Sequence, residues 1–184
     1  MTFYNARDLA ESLRTVRQNT IRIAEDIPEA QYGFRPAPET RSVAQLLAHI
    51  ALGPRFQQQV HHVERRATLE GFNFPAFIQQ VTQEEQRPRS KVEIIEMLTR
   101  EGAAWASWIE GLSEAFLAER VAMRPGMTPS SRSRFEMLLS TKEHEMHHRG
   151  QLMLIERLIG IVPHLTRDMQ ARMAQAQQAQ AAGR

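Results

Sequence analysis

The chain has 184 residues, enough for one domain whose core needs neither a disulfide nor a metal to hold it. Its 23 basic and 21 acidic side chains leave a formal charge of +2, and the bases are interspersed among the acids, so the composition argues against a nucleic-acid surface. Cysteine is absent, which excludes disulfides, thiolate ligands and a cysteine nucleophile, and leaves histidine and carboxylate to carry any metal.

No uninterrupted apolar run approaches the roughly 18 residues that would read as a membrane span, and the N-terminal residues lack a signal-peptide core. The expectation is a soluble cytoplasmic protein. Residues 5 to 27 place Leu9, Leu13, Val16, Thr20, Ile23 and Ile27 at helical spacing and stop at Pro28, which predicts a first long amphipathic helix. The segment from Ile27 to Pro38 holds three prolines and a glycine, so it reads as an irregular connection with Tyr32 and Phe34 free to pack on the helices.

Ser42-Val43-Ala44-Gln45 is a capping box. It opens a second helix with Ser42, Leu46, His49, Gly53, Phe56, Val60 and Val63 on one face, so His49 points inward. Gly53, one turn beyond His49, either makes room for a pocket or, with Pro54, kinks the helix. His61 and His62 stand among Glu64, Arg65 and Arg66 and read as surface residues.

Residues 67 to 89 read as a long connection containing a short helix from Ala76 to Glu85, long enough to let consecutive bundle helices run parallel. Ser90-Lys91-Val92-Glu93 caps a third helix through Ile94, Leu98, Trp105, Trp108, Ile109 and Leu112, with the tryptophans in the core or at an interface. Residues 113 to 132 read as loop. Ser133-Arg134-Phe135-Glu136 caps a fourth helix that runs to about Ile159 and is stopped by Gly160 and Pro163. The Ala/Gln-rich residues 166 to 184 form a tail, frayed helix or disordered, outside a domain of residues 1 to 165. No strand-like alternation is visible. The fold class is all-α, a four-helix bundle with a long connection between its second and third helices.

The fourth helix carries three of the seven histidines within five residues, His144-Glu145-Met146-His147-His148. At about 100° per residue, His144 and His148 share a face with Met137, Thr141, Leu152, Ile155 and Ile159, while His147 falls at its margin. A single histidine on an apolar stripe is ordinarily a core residue with a satisfied second nitrogen. Two at i, i+4, with His49 inward on another helix, can instead surround one metal ion, and three neutral imidazoles leave coordination positions open. The same residues satisfy the zinc-peptidase pattern H-E-x-x-H, but its extended form needs glycine and histidine where this chain has Gln151 and Leu154. Glu145 also points about 100° away from His144.

The residues Phe34-Arg35-Pro36-Ala37-Pro38, Ser42 to Ile50, His144 to Leu152 and Gly160 to Pro163 together resemble the DinB-like (YfiT-like) superfamily over about residues 5 to 165. The resemblance implies a four-helix bundle, often homodimeric, with a divalent metal, zinc or nickel foremost, held by His49, His144 and His148. His147 and Arg149 match the motif without a ligand role. Relatives include S-transferases and an isomerase that use low-molecular-weight thiols, so the resemblance implies a metal-dependent enzyme that activates an external thiol for attack on a small electrophile. The alternative is a non-catalytic stress-response or ligand-binding protein whose metal stabilises the bundle. Metal-assisted hydrolysis ranks below both, and catalytic residues beyond the ligands are not assigned. Neither a nucleic-acid nor a membrane partner is expected.

Overall fold

The computed structural model describes residues 4 to 182. Helix α1 (Ala6–Asp26) begins with Asn5, whose side chain accepts the Asp8 amide while Asp8 returns the bond, and is followed by a 3₁₀ turn at Glu29–Gln31. Helix α2 (Val43–Leu52) ends where Gly53 N–H turns to Ile50 O at 3.2 Å and Pro54 offers no N–H at all. A single turn, α3 (Arg55–Gln57), then leads into a π-helical segment, Gln58–Val63. Helix α4 (Phe74–Glu85) crosses the connection to α5 (Lys91–Glu110), and a short α6 (Glu114–Ala118) precedes the hairpin strands β1 (Arg120–Ala122) and β2 (Ser131–Ser133). Helix α7 (Arg134–Leu158) completes the bundle, and α8 (His164–Ala182) follows it. The capping boxes at Ser42, Ser90 and Ser133 all close reciprocally with Gln45, Glu93 and Glu136.

The bundle is a ring in which α1 packs on α5 and α7, and α2 packs on the same two helices. Direction follows from the end contacts. Lys91 Nζ reaches the carbonyls of Glu25 and Ile27 while Glu110 pairs with Arg14, so α5 runs antiparallel to α1. The start of α2 is tied to the end of α1, since Ala44 N–H donates to Tyr32 O and Tyr32 Oη–H donates to Ala24 O. Helices α2 and α5 are therefore parallel, as the long connection between them permits. The all-α bundle expected from the helical spacing is observed.

Along the bundle axis the core divides into two clusters, with a third, of Val60, Leu69, Val121 and Met137, against the hairpin. One of the two joins Ile23, Leu47, Ile50, Leu98 and Leu152; the other joins Leu9, Leu13, Trp105, Ile109 and Leu138. Between them lies a polar layer of Arg17, Thr20, Thr141 and Glu145, all buried.

Three expectations are corrected. His61 is fully buried: its Nε2 lies 2.9 Å from Gln57 Oε1, and its Nδ1 accepts from Arg134 Nη1 at 2.8 Å, so it is a neutral core residue. Val63, expected inward, is 66% exposed. Both follow from the π-helical turn, in which Glu64 N–H bonds to Gln59 O five residues back, slipping the register that a continuous α-helix would have kept. The hairpin also contradicts the absence of strands: Arg120, Val121 and Ala122 pair with Ser133, Arg132 and Ser131, in strands too short to carry a periodic signal. His62 is exposed and lies against Trp108, while Trp105 is buried and stacks on Trp108. The tail from Met169 onward is helical with its described side chains exposed.

Candidate metal centre

His49 comes from α2, and His144 and His148 from successive turns of α7, at the level of the polar layer. His144 Nε2 lies 3.1 Å from His49 Nε2 and 3.1 Å from His148 Nε2. One ring nitrogen from each residue falls within 4.8 Å of the others. His147 stays outside this group, exposed at its edge, with Nε2 at 3.2 Å from Gln151 Nε2. The three residues selected by helical spacing are the ones the fold brings together.

Three neutral imidazoles leave this arrangement unsatisfied. His49 Nδ1 faces the Glu85 carboxylate at 2.8 Å, an acceptor, so in a neutral ring the proton sits on Nδ1 and Nε2 carries the lone pair. His148 Nδ1 faces Gln151 Oε1 at 2.8 Å with the same consequence, and the Gln151 amide nitrogen is left to donate to His147. Only His144 Nε2 stands between the two lone pairs, and one N–H cannot point at both. A cation satisfies all three nitrogens. With Zn–N bonds of about 2.0–2.1 Å, nitrogen separations run from about 2.9 Å at right angles to about 3.4 Å at tetrahedral angles. The two separations from His144, each 3.1 Å, fall within that range, and the three nitrogens together lie within 4.8 Å, so His49 and His148 must close towards each other around an ion.

The electrostatics agree. Burial, then the neighbouring imidazoles and Arg41, push His144 down to about 4, so the ring is neutral at pH 7. Burial also lowers His148, against the opposing bond to Gln151. Burial raises Glu85, but hydrogen bonds from His49 and Arg41 more than offset it and hold the carboxyl below its ordinary range. Glu85 is thus an ionised orienting group for His49, itself steadied by Arg41 Nε at 2.6 Å.

Gly53 serves both roles left open by the sequence. It interrupts the α2 ladder, and a Cβ there would lie 3.1 Å from His144 Nδ1, so its missing side chain gives the imidazole its space. Glu145 is turned away from the centre and bound to Arg17 and Thr20, which removes it as the base of a peptidase motif. Spacing missed Glu85, Gln151 and Arg17. Gln151 was within reach, lying three residues after His148 on the same helix face; Glu85 and Arg17 carry no local signal.

A cleft of about 720 Å³ meets the centre at His148 and Glu85. Its wall includes Arg35, Arg41, Gln45, Gln151 and Leu154, a mixture that suits a polar small molecule with an apolar part.

A family model described as the DinB superfamily matches residues 12–152. No curated protein matches the chain. Among solved structures, a DinB-like protein from Bacillus subtilis, YjoA, aligns with a TM-score of 0.60 at 19% identity, covering 83% of this chain and 91% of that one. An uncharacterised protein from Clostridium difficile 630 aligns with a TM-score of 0.65 at 12% identity over 86% of this chain and 99% of that one. YfiT from Bacillus subtilis, described as a probable metal-dependent hydrolase with an unusual four-helix bundle topology, aligns with a TM-score of 0.65 at 12% identity over 88% and 91%. At these identities the structural likeness is one of fold.

Proposed function

Because the chain belongs to the DinB superfamily, we propose that it is a metal-dependent enzyme in which His49, His144 and His148 hold a divalent ion, zinc or nickel, and which transfers a low-molecular-weight thiol to a small electrophile. The observation that carries this reading is the convergence of three imidazole nitrogens for which the hydrogen-bond network supplies too few protons. A divalent ion at that point supplies Lewis acidity, which holds a bound thiol as its thiolate at neutral pH.

The residues of the chain do the rest. Glu85 and Gln151 fix the tautomers of His49 and His148 so that lone pairs face inward. The cleft at His148 and Glu85 admits the two reactants, and Arg35 and Arg41 on its wall suit carboxylate or other anionic groups on them. The thiol sulfur forms the new bond to carbon, the leaving group departs with the bonding pair, and the thiol proton passes to solvent.

The thiol reading is favoured over hydrolysis by the carboxylates. Glu145 is tied to Arg17 and Thr20, and Glu85 to Arg41 and His49, so neither is free to assist a water at the centre, which would have to ionise through the metal's charge alone, whereas a thiol, the stronger acid, gives up its proton more readily. Hydrolysis remains the second reading because one fold neighbour is described in those terms.

The test is metal per chain in the wild type and in His49→Ala and His144→Ala, followed by cobalt substitution and titration with thiols. About one equivalent, lost in the variants, together with a thiol-dependent change in the cobalt spectrum, is expected. Metal binding without any thiol response returns the protein to hydrolase or non-catalytic roles, and no metal in the wild type ends the metal reading.

A further inference from the structure

We propose that the buried Arg17–Glu145 pair is the positioning device of the centre, a clamp that sets the separation of the two ligand-bearing helices from behind; the proposal rests on the metal reading above. Arg17 lies on α1, which contributes no imidazole. Its Nε and Nη2 donate to Glu145 Oε1 and Oε2, each at 2.9 Å, in a two-pronged contact with side chains 7% and 5% exposed. Glu145 is the residue next to His144 in the chain. The same guanidinium donates to Ile50 O on α2 at a longer 3.4 Å, and Ile50 is the residue next to His49. Its third nitrogen donates to Leu98 O on α5 at 2.7 Å. One rigid, planar group thus ties the backbone beside one ligand to the side chain beside another and anchors both to a third helix.

The surroundings are fitted to it. A Cβ at Gly102 of α5 would stand 2.7 Å from Arg17 Cγ and 2.9 Å from Nη1, so glycine is what lets the side chain cross α5. Thr20 Oγ1–H donates to Glu145 Oε1 at 2.8 Å. The layer also sits between two apolar clusters of the core, at the end of the one in which Leu47 and Ile50 of α2 join Leu152 of α7. A stabilising role does not explain such a pair, since buried ion pairs are often replaced by apolar groups of similar volume with no loss of stability. Metal ligands, in contrast, must be held within about 0.5 Å of the productive geometry.

The experiment is a zinc-affinity titration with a competing chromophoric chelator, run beside thermal unfolding in chelator and the cobalt absorption spectrum. The variants are the double replacement Arg17→Met with Glu145→Leu, the single Gly102→Ala, and Ile109→Val as a core change remote from the site. The clamp predicts that the double variant keeps its metal-free melting temperature, yet binds zinc about 10- to 100-fold more weakly with an altered cobalt spectrum. Gly102→Ala, on a helix without ligands, is expected to weaken binding in the same direction by displacing Arg17, and Ile109→Val to leave affinity unchanged. If the double variant does not fold, Gly102→Ala alone decides the question. Zinc affinity within twofold of wild type in a folded variant overturns the clamp while leaving the metal reading intact. A wild type that binds no zinc overturns both.

Discussion

Gly53→Ala separates the site from the scaffold in a single methyl group. The glycine sits at φ −49° and ψ −40°, in the α region, but it precedes Pro54 and a Cβ would stand 3.2 Å from Ile50 O, so alanine carries a local backbone cost that offsets the up to about 1 kcal/mol of helix propensity it gains. The new Cβ would lie 3.1 Å from His144 Nδ1, where ordinary contacts begin at 3.4 Å, so the imidazole must retreat by a few tenths of an ångström. That retreat moves the nitrogen that stands 3.1 Å from both other ligands. The expected result is a metal-free protein that folds with stability close to wild type and binds zinc about 10-fold more weakly, a loss of about 1.4 kcal/mol. Thermal unfolding in chelator measures the first quantity and chelator competition the second. Unchanged affinity in a folded variant would refute the argument, and would mean that Gly53 serves only the helix break before Pro54.

Glu85→Gln removes the ionised acceptor behind His49 and is expected to weaken metal binding about 10- to 100-fold while leaving the helical circular dichroism unchanged. Stripping the metal from the wild type should lower its stability by about 2.7 kcal/mol relative to protein held at 100 times the dissociation constant, with no such shift in His148→Ala; equal melting curves with and without chelator would argue against a bound ion. Glu156 is fully buried with both oxygens unpartnered among the described residues, and burial, with Asp26 adding to it, raises its pKa from 4.5 to about 7. The folded state therefore holds a proton that the unfolded state releases. Its contribution is complete below pH 4.5 and declines as the pH rises towards 7, so Glu156→Gln should be neutral at pH 4 and stabilising at pH 8 by at most about 3 kcal/mol. Urea unfolding of both proteins at the two pH values measures this; a variant whose advantage does not grow with pH refutes it.

The sequence by itself determined what depends on neighbours a few residues away. The capping boxes at Ser42, Ser90 and Ser133 are closed by residues three positions on, and all three formed. The stripe from Met137 through His144 and His148 to Ile155 was readable because each helical residue turns by a fixed angle, and that same angle selected His49. The periodicity failed at the π-helical turn, where one extra residue buried His61 and exposed Val63.

Only the tertiary structure decided the partners. Glu85 meets His49 from 36 residues away, Arg134 meets His61 from 73, and Arg17 meets Glu145 from 128. Nothing in the local pattern distinguishes these charged residues from the others on solvated helix faces. Their pairing is set by which helices the long connection places side by side, and a buried charge finds its partner only after the apolar faces have fixed that arrangement.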